Sequence, residues 1–224
     1  MIRLFYLYPR HHFLFCPRLI WKLILHGIIL RLRPRKLAEA YREVWTERGS
    51  PLLFHTEDQC AALQQALGDK YGENLCVDFA MRYGEPSIGA VVDRMLNKGV
   101  RRLLVLPLYP QFSTTTTASS IKLWQEEAKR QGLTADTSTI CCYPTQQDFI
   151  QSHAKLIAEA YKAAAQHGTP RVLFSAHGLP EKVVKDGDPY QWQCEETTRA
   201  VVNALQEIAR SADRDSPDFA GGNH

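Results

Sequence analysis

Apolar and polar positions along this chain change rhythm twice. Phe13 to Leu32 is strongly apolar, but Arg18, Lys22, His26 and Arg31 interrupt it and Pro17 splits it. Its longest uncharged stretches fall well short of the ~20 residues needed to span a bilayer. Lys22 and His26 lie four apart, on one face of a predicted helix whose other face carries Leu19, Ile20, Leu23, Ile24, Ile28 and Leu30. That pattern suits an amphipathic helix covering a core, or one lying on a membrane surface with its cations toward headgroups. A secretion signal fits poorly, because the apolar region is broken and no small-residue cleavage site follows.

Past residue 33, helical and strand periods alternate. Leu37, Ala40, Tyr41, Val44 and Trp45 repeat at helical spacing after Pro34. Thr56-Glu57-Asp58-Gln59 reads as a capping box for a helix ending at Gly68. Leu75 to Met81 is a predicted strand, and Ser87 caps a predicted helix with Ile88, Val91, Val92, Met95 and Leu96 on one face, stopped at Gly99. Arg102 to Leu108 is nearly all apolar, as a strand buried on both faces should be. A helix over 119–131, a strand over 137–142, a long helix over 148–166, a strand over 171–176 and a helix over about 191–210 follow. Strands spaced this way with helices between them predict βαβ units, a parallel sheet and an α/β fold. Residues 212–224 are polar with Gly and Pro, the composition of a disordered tail.

Charge and cysteine usage narrow the classes. The net charge of +3 hides an asymmetry: residues 1 to 48 hold ten Lys or Arg against three Glu, +7, which leaves −4 for the remainder. Such a basic start faces nucleic acid, anionic lipid or a small anion. Nucleic acid fits least, because the charge lies in an apolar helix rather than on a basic aromatic surface. The six cysteines, Cys16, Cys60, Cys76, Cys141, Cys142 and Cys194, form no C-x-x-C pair and encode neither a zinc nor a thioredoxin-like site. Scattered thiols of this kind suit a reducing cytoplasm.

Candidate chemistry collects at three turns: Arg82-Tyr83-Gly84-Glu85-Pro86, Tyr109 to Ser120, and His177 to Tyr190. His177 ends the predicted strand 171–176, and Gly178 and Pro180 turn the backbone after it. Carboxyl ends of strands line the ligand crevice in open α/β sheets. Imidazole there exchanges a proton or ligates a metal near neutral pH, or else merely packs the turn. Thr114 to Thr117 places hydroxyls ahead of a helix, as an anion site or simply as a loop and N-cap. A nucleotide site is disfavoured, since no Gly-rich phosphate motif is present.

Three segments carry a resemblance. Phe174-Ser175-Ala176-His177-Gly178-Leu179-Pro180 with Gly187-Asp188-Pro189-Tyr190 resembles the signature of the ferrochelatase family, which inserts ferrous iron into a porphyrin. Leu104-Val105-Leu106-Pro107-Leu108-Tyr109-Pro110-Gln111-Phe112-Ser113 followed by Thr114 to Ser120 agrees, as does Ala38-Glu39-Ala40-Tyr41-Arg42 running into Gly49-Ser50-Pro51-Leu52. The likeness spans roughly residues 17 to 205. It implies a chelatase-like α/β fold with Rossmann-like parallel sheets and flanking helices. The N-terminal domain would be 17–142 without its first strand, and the beginning of a second, similar domain 143–211, after an unrecognised start at 1–16.

For the site, the resemblance implies His177 as the catalytic and metal-binding residue. Arg33, Tyr41, Ser50 and Ser120 match porphyrin contacts, and Arg82 and Tyr83 match a pair near the cleft. On local pattern alone Arg33 is equally a solvated helix-edge arginine, and Tyr41 equally a core residue. Iron(II) and protoporphyrin IX or coproporphyrin III are the implied substrates. No cofactor is expected, and no cysteine grouping would hold an iron–sulfur cluster. Residues 17–32 match a hydrophobic lip of the porphyrin cleft that touches a membrane in some members, so the expected location is cytoplasmic with peripheral contact to the inner membrane. The family's opening strand with its Asn-Leu-Gly-Thr-Pro turn, and its later glutamate in an Asp-His-x-Glu-Thr context, have no counterpart here, so truncation at both ends is expected. The implied functions are iron insertion, porphyrin binding by a non-catalytic remnant, or insertion of cobalt or nickel into a related tetrapyrrole.

Overall fold

A computed structural model describes residues 26–27, 38–39, 41–72 and 74–214. The unrecognised start, residues 17–32 apart from His26 and Gly27, Arg33, and residues 215–224 lie outside the described residues, while 212–214, expected as part of a disordered tail, continue a helix. The chain divides into two compact units, Met1–Arg94 and Met95–His224.

In the first unit a tight turn joins Thr46 and Gly49, with Gly49 at φ +93, a value that residues bearing a Cβ rarely adopt. Helix α1 (Pro51–Tyr71) follows, with Pro51 in its first turn and Ser50 as N-cap. Proline fits there because its φ is preset for the helix and its missing N–H would have no partner anyway. The start therefore falls five residues before Thr56, correcting the expected capping box. Thr56 instead lies inside the helix, donating its hydroxyl to Leu52 O at 2.7 Å.

The expected strand Leu75–Met81 carries no regular structure and pairs with no strand among the described residues, apart from an isolated bridge between Met81 and Ser87. Part of its backbone is satisfied by a side chain. Gln64 accepts from Val77 N–H at 2.6 Å and donates to Leu75 O at 3.1 Å, groups that a neighbouring strand would otherwise engage. Helix α2 (Ile88–Asn97) buries Ile88, Val91, Val92 and Met95 along one face, as its periodicity predicts.

In the second unit β1 (Arg102–Val105) and β2 (Asp136–Thr139) pair in parallel, in register from Arg102↔Asp136 to Val105↔Thr139. Helix α3 (Thr117–Gln131) lies between them in sequence and completes a βαβ unit, so the α/β expectation holds. Both strands are shorter than the apolar runs suggest. Pro107 and Pro110 have no N–H to give the ladder, and beyond Val105 the contact continues only as Ile140 N–H to Val105 O and Tyr143 N–H to Pro110 O.

Helices α4 (Gln147–Ala165), α5 (Glu181–Lys185) and α6 (Tyr190–Arg214) complete the unit. Ile150 and Ala154 of α4 meet Val201 and Ala204 of α6 in a buried cluster flanked by Phe149, Ile157, Leu205 and Ile208. The two alanines let the helix backbones approach closely, and Ala154 is 0% exposed. Ala154→Leu is expected to overpack this contact and lower stability by about 1–3 kcal/mol, read as a fall in the urea midpoint. The segment expected as strand 171–176 forms no ladder, and residues 169–180 carry no regular structure. A strand exists only where a second backbone takes its N–H and C=O groups. None of the described residues does so here, and Leu173 is 82% exposed. No helix among the described residues is long and apolar enough to cross a membrane.

Candidate functional site

The second unit is organised around a buried carboxylate. Gly187, at φ +97, turns the chain out of α5 and delivers Asp188 beneath the loop after β1. Asp188 is 6% exposed. Its Oδ2 accepts from Ser113 Oγ (3.0 Å), Thr114 N (2.7 Å) and Thr114 Oγ1 (2.6 Å), and its Oδ1 accepts from Tyr190 N (3.0 Å) at the start of α6. Burial alone would raise its pKa. The bonds from Thr114, Tyr190 and Ser113 together outweigh that and hold it below the usual carboxylate value. The donors of Ser113 and Thr114, just ahead of α3, thus already hold an anion, and it belongs to the protein itself.

A buried amide makes the second link. Gln193 Oε1 accepts from Phe112 N at 2.7 Å, and its Nε2 donates to Cys142 Sγ at 3.6 Å. Gln111 Nε2 donates to Thr197 Oγ1 at 2.9 Å, and that hydroxyl donates to Pro144 O (2.8 Å) or Gln193 O (2.9 Å). The loop Gln111–Thr114, the loop after β2 and the first turns of α6 are thereby tied together. The motifs place Gln111 and Asp188 within the resemblance, but nothing in the sequence marks Gln193 or Thr197 as their partners.

Beside this network lies a cavity of about 750 Å³ whose lining includes Phe174, His177, Leu179, Tyr190, Cys194 and Thr197. His177 is exposed on it, at the end of the irregular segment rather than of a strand. Tyr190 lines the same cavity. Burial pushes the Tyr190 phenol up, the Cys194 thiol adds to the rise, and the neighbouring His177 main chain offsets part of it. The imidazole, exposed on the cavity, is open to a ligand. A smaller cavity of about 360 Å³, lined by Trp124, Lys129, Thr137, Thr139 and neighbours, presents no imidazole, thiol or carboxylate.

The remaining predicted residues are placed as follows. Arg33 lies outside the described residues. Tyr41 is 48% exposed, its ring edge-on to Trp45 at 6.0 Å, so the core alternative for it does not hold. Ser50 is half-buried at the α1 N-cap, without a side-chain capping bond. Arg82 and Tyr83 are brought together, the guanidinium 4.9 Å over the ring, while Arg82 Nε is buried without a partner. Ser120 Oγ, in α3, is likewise buried without a partner. Orphan polar atoms of this kind are uncommon in folded proteins. Among the described residues no group of three or more His, Cys, Asp or Glu side chains comes together as a metal site.

Comparison with known proteins identifies a family. The Ferrochelatase family profile matches residues 10–214. The chain is 47% identical over 190 residues to a ferrochelatase of Idiomarina loihiensis, covering 84% of this chain and 51% of that protein. It is 45% identical over 190 residues to the ferrochelatase of Pseudoalteromonas atlantica (84% and 52%) and 44% identical over 190 residues to that of Marinobacter nauticus (84% and 50%). The chain thus spans about half the length of the curated relatives it matches. A match over residues 10–214, with identity at this level, leaves one assignment: the chain belongs to the ferrochelatase family.

Proposed function

We propose that the protein binds a porphyrin, protoporphyrin IX or coproporphyrin III, against the His177 cavity and inserts ferrous iron into it in haem synthesis. The observation that carries this is the open imidazole of His177 on a cavity of about 750 Å³, a size typical of small-molecule sites. Insertion removes two pyrrole protons and exchanges water on iron for pyrrole nitrogens. An exposed imidazole serves as acceptor for one of those protons or as ligand to the arriving ion. Phe174, Leu179 and Val184 supply apolar wall for the macrocycle. Ser120 and Arg82, each with an unpartnered buried polar atom, are kept as porphyrin contacts together with Arg33, Tyr41, Ser50 and Tyr83. The same reading needs no resident cofactor and places residues 17–32 at a membrane surface on the cytoplasmic side.

A second reading, porphyrin binding without insertion, is favoured by one observation: among the described residues no group of three or more His, Cys, Asp or Glu side chains gathers at His177. Anaerobic incubation of the purified chain with iron(II) and either porphyrin distinguishes the two. Iron insertion yields the haem absorbance spectrum together with loss of porphyrin fluorescence. A fluorescence shift with no haem above a protein-free blank would leave the binding reading alone standing. Faster insertion of cobalt(II) or nickel(II) than of iron(II) would reassign the chain to a related chelation.

A further inference from the structure

Gln111 comes directly after Pro110 on the loop that leaves β1, half-buried in the wall of the His177 cavity. Thr197 of α6 lines the same cavity. The two side chains meet, with Gln111 Nε2 2.9 Å from Thr197 Oγ1.

The other partners of Thr197 decide which end of the amide faces it. A hydroxyl has one proton and two lone pairs. Two main-chain carbonyls lie against Thr197 Oγ1, Pro144 O at 2.8 Å and Gln193 O at 2.9 Å, and a carbonyl oxygen only accepts. The proton goes to one of them, so Thr197 offers Gln111 a lone pair, and Gln111 meets it with its N–H₂. Gln111 Oε1 is left without a donor among the described residues, on a side chain that lines the cavity. Such an oxygen favours an occupant that donates.

Under the porphyrin reading, on which this inference rests, the occupant has few donors. Ionised propionates only accept. The two pyrrole N–H groups at the centre of the ring donate, and iron insertion removes both. We infer that Gln111 Oε1 accepts a pyrrole N–H of the metal-free porphyrin and thereby distinguishes substrate from metallated product. In a flat ring those hydrogens lie in the plane, and an acceptor on the face reaches one only when its pyrrole tilts out. The contact therefore favours the bent ring, which is the form that metal entry requires. An amide oxygen is too weak a base to keep the proton, so Gln111 positions the ring and takes no proton from it. Once both N–H groups are gone, this contact no longer holds the product.

The test is a Soret absorbance titration of the full chain with protoporphyrin IX and with its palladium(II) complex, which has no N–H and takes no axial ligand. The parent is expected to bind the metal-free ring more tightly. Gln111→Leu should weaken that binding roughly threefold to tenfold, as the loss of one neutral hydrogen bond does, and leave binding of the palladium complex unchanged. Thr197→Val keeps Gln111 but frees its amide to turn over, so part of the preference should go, whereas Thr197→Ser should keep it. The Thr197 pair carries the test if Gln111→Leu does not fold. Equal weakening of both ligands, or a preference undiminished in Gln111→Leu and Thr197→Val, would overturn the inference and leave porphyrin binding standing. A parent that shifts neither Soret band would overturn the porphyrin reading itself, and this inference with it.

Discussion

Replacing His177 by alanine is expected to lower iron insertion by about 10²–10⁴-fold, the range that a positioned proton-transfer group contributes. Porphyrin affinity should change far less. The imidazole is exposed on the cavity, outside the buried cluster of Ile150, Ala154, Val201 and Ala204, so its removal takes nothing from that core. The urea midpoint of the variant should therefore match the parent, separating chemistry from folding. Two readouts isolate the role. Porphyrin fluorescence titration reports binding, and haem absorbance under anaerobic iron(II) reports insertion. Free imidazole should restore part of the lost rate, because the cavity then has room for it. Undiminished haem formation by His177→Ala would remove His177 from the reaction.

Helices were more legible in the sequence than strands, for a physical reason. A helix satisfies its own hydrogen bonds, so the stripe Ile88, Val91, Val92, Met95 and the pattern of α4 and α6 identify those elements within a few residues. A strand depends on a partner that its own residues do not name. Leu75–Met81 and Arg171–Ala176 have the composition of strands, yet one gives part of its backbone to Gln64 and the other joins no ladder among the described residues. The start of α1 was misplaced because Thr56 and Gln59 imitate a capping box, while Pro51 supplies the stronger start. At the site, His177 and its turn were readable from a local motif. The bonds from Ser113 to Asp188 and from Phe112 to Gln193 were not, since they join positions 75 and 81 residues apart. Periodicity has no access to contacts at such separation.

The largest stability effect should come from one of those long-range contacts. Asp188→Ala is expected to destabilise the second unit by about 3 kcal/mol, because it strands donors that the carboxylate satisfies. Ser113, 1% exposed, has no water to turn to and only Thr115 Oγ1, 2.8 Å away, as another partner, whereas Thr114, an exposed residue, recovers part of its loss from solvent. Asp188→Asn keeps the shape and one acceptor oxygen but turns an amide N–H₂ toward donors, so about 1–2 kcal/mol is expected. The pH dependence carries the sign. The folded-state pKa of Asp188 lies below its unfolded value, so its ionisation contributes stability above the unfolded pKa, about 3.9, and that contribution is lost as pH falls through the folded value. The gap between the parent and Asp188→Asn should hence be full at pH 7 and shrink on acidification below about pH 4. Urea titrations of both chains across that range measure it. A gap that stays constant with pH would mean that the carboxylate's charge contributes nothing, and that Asp188 holds the loops by shape alone.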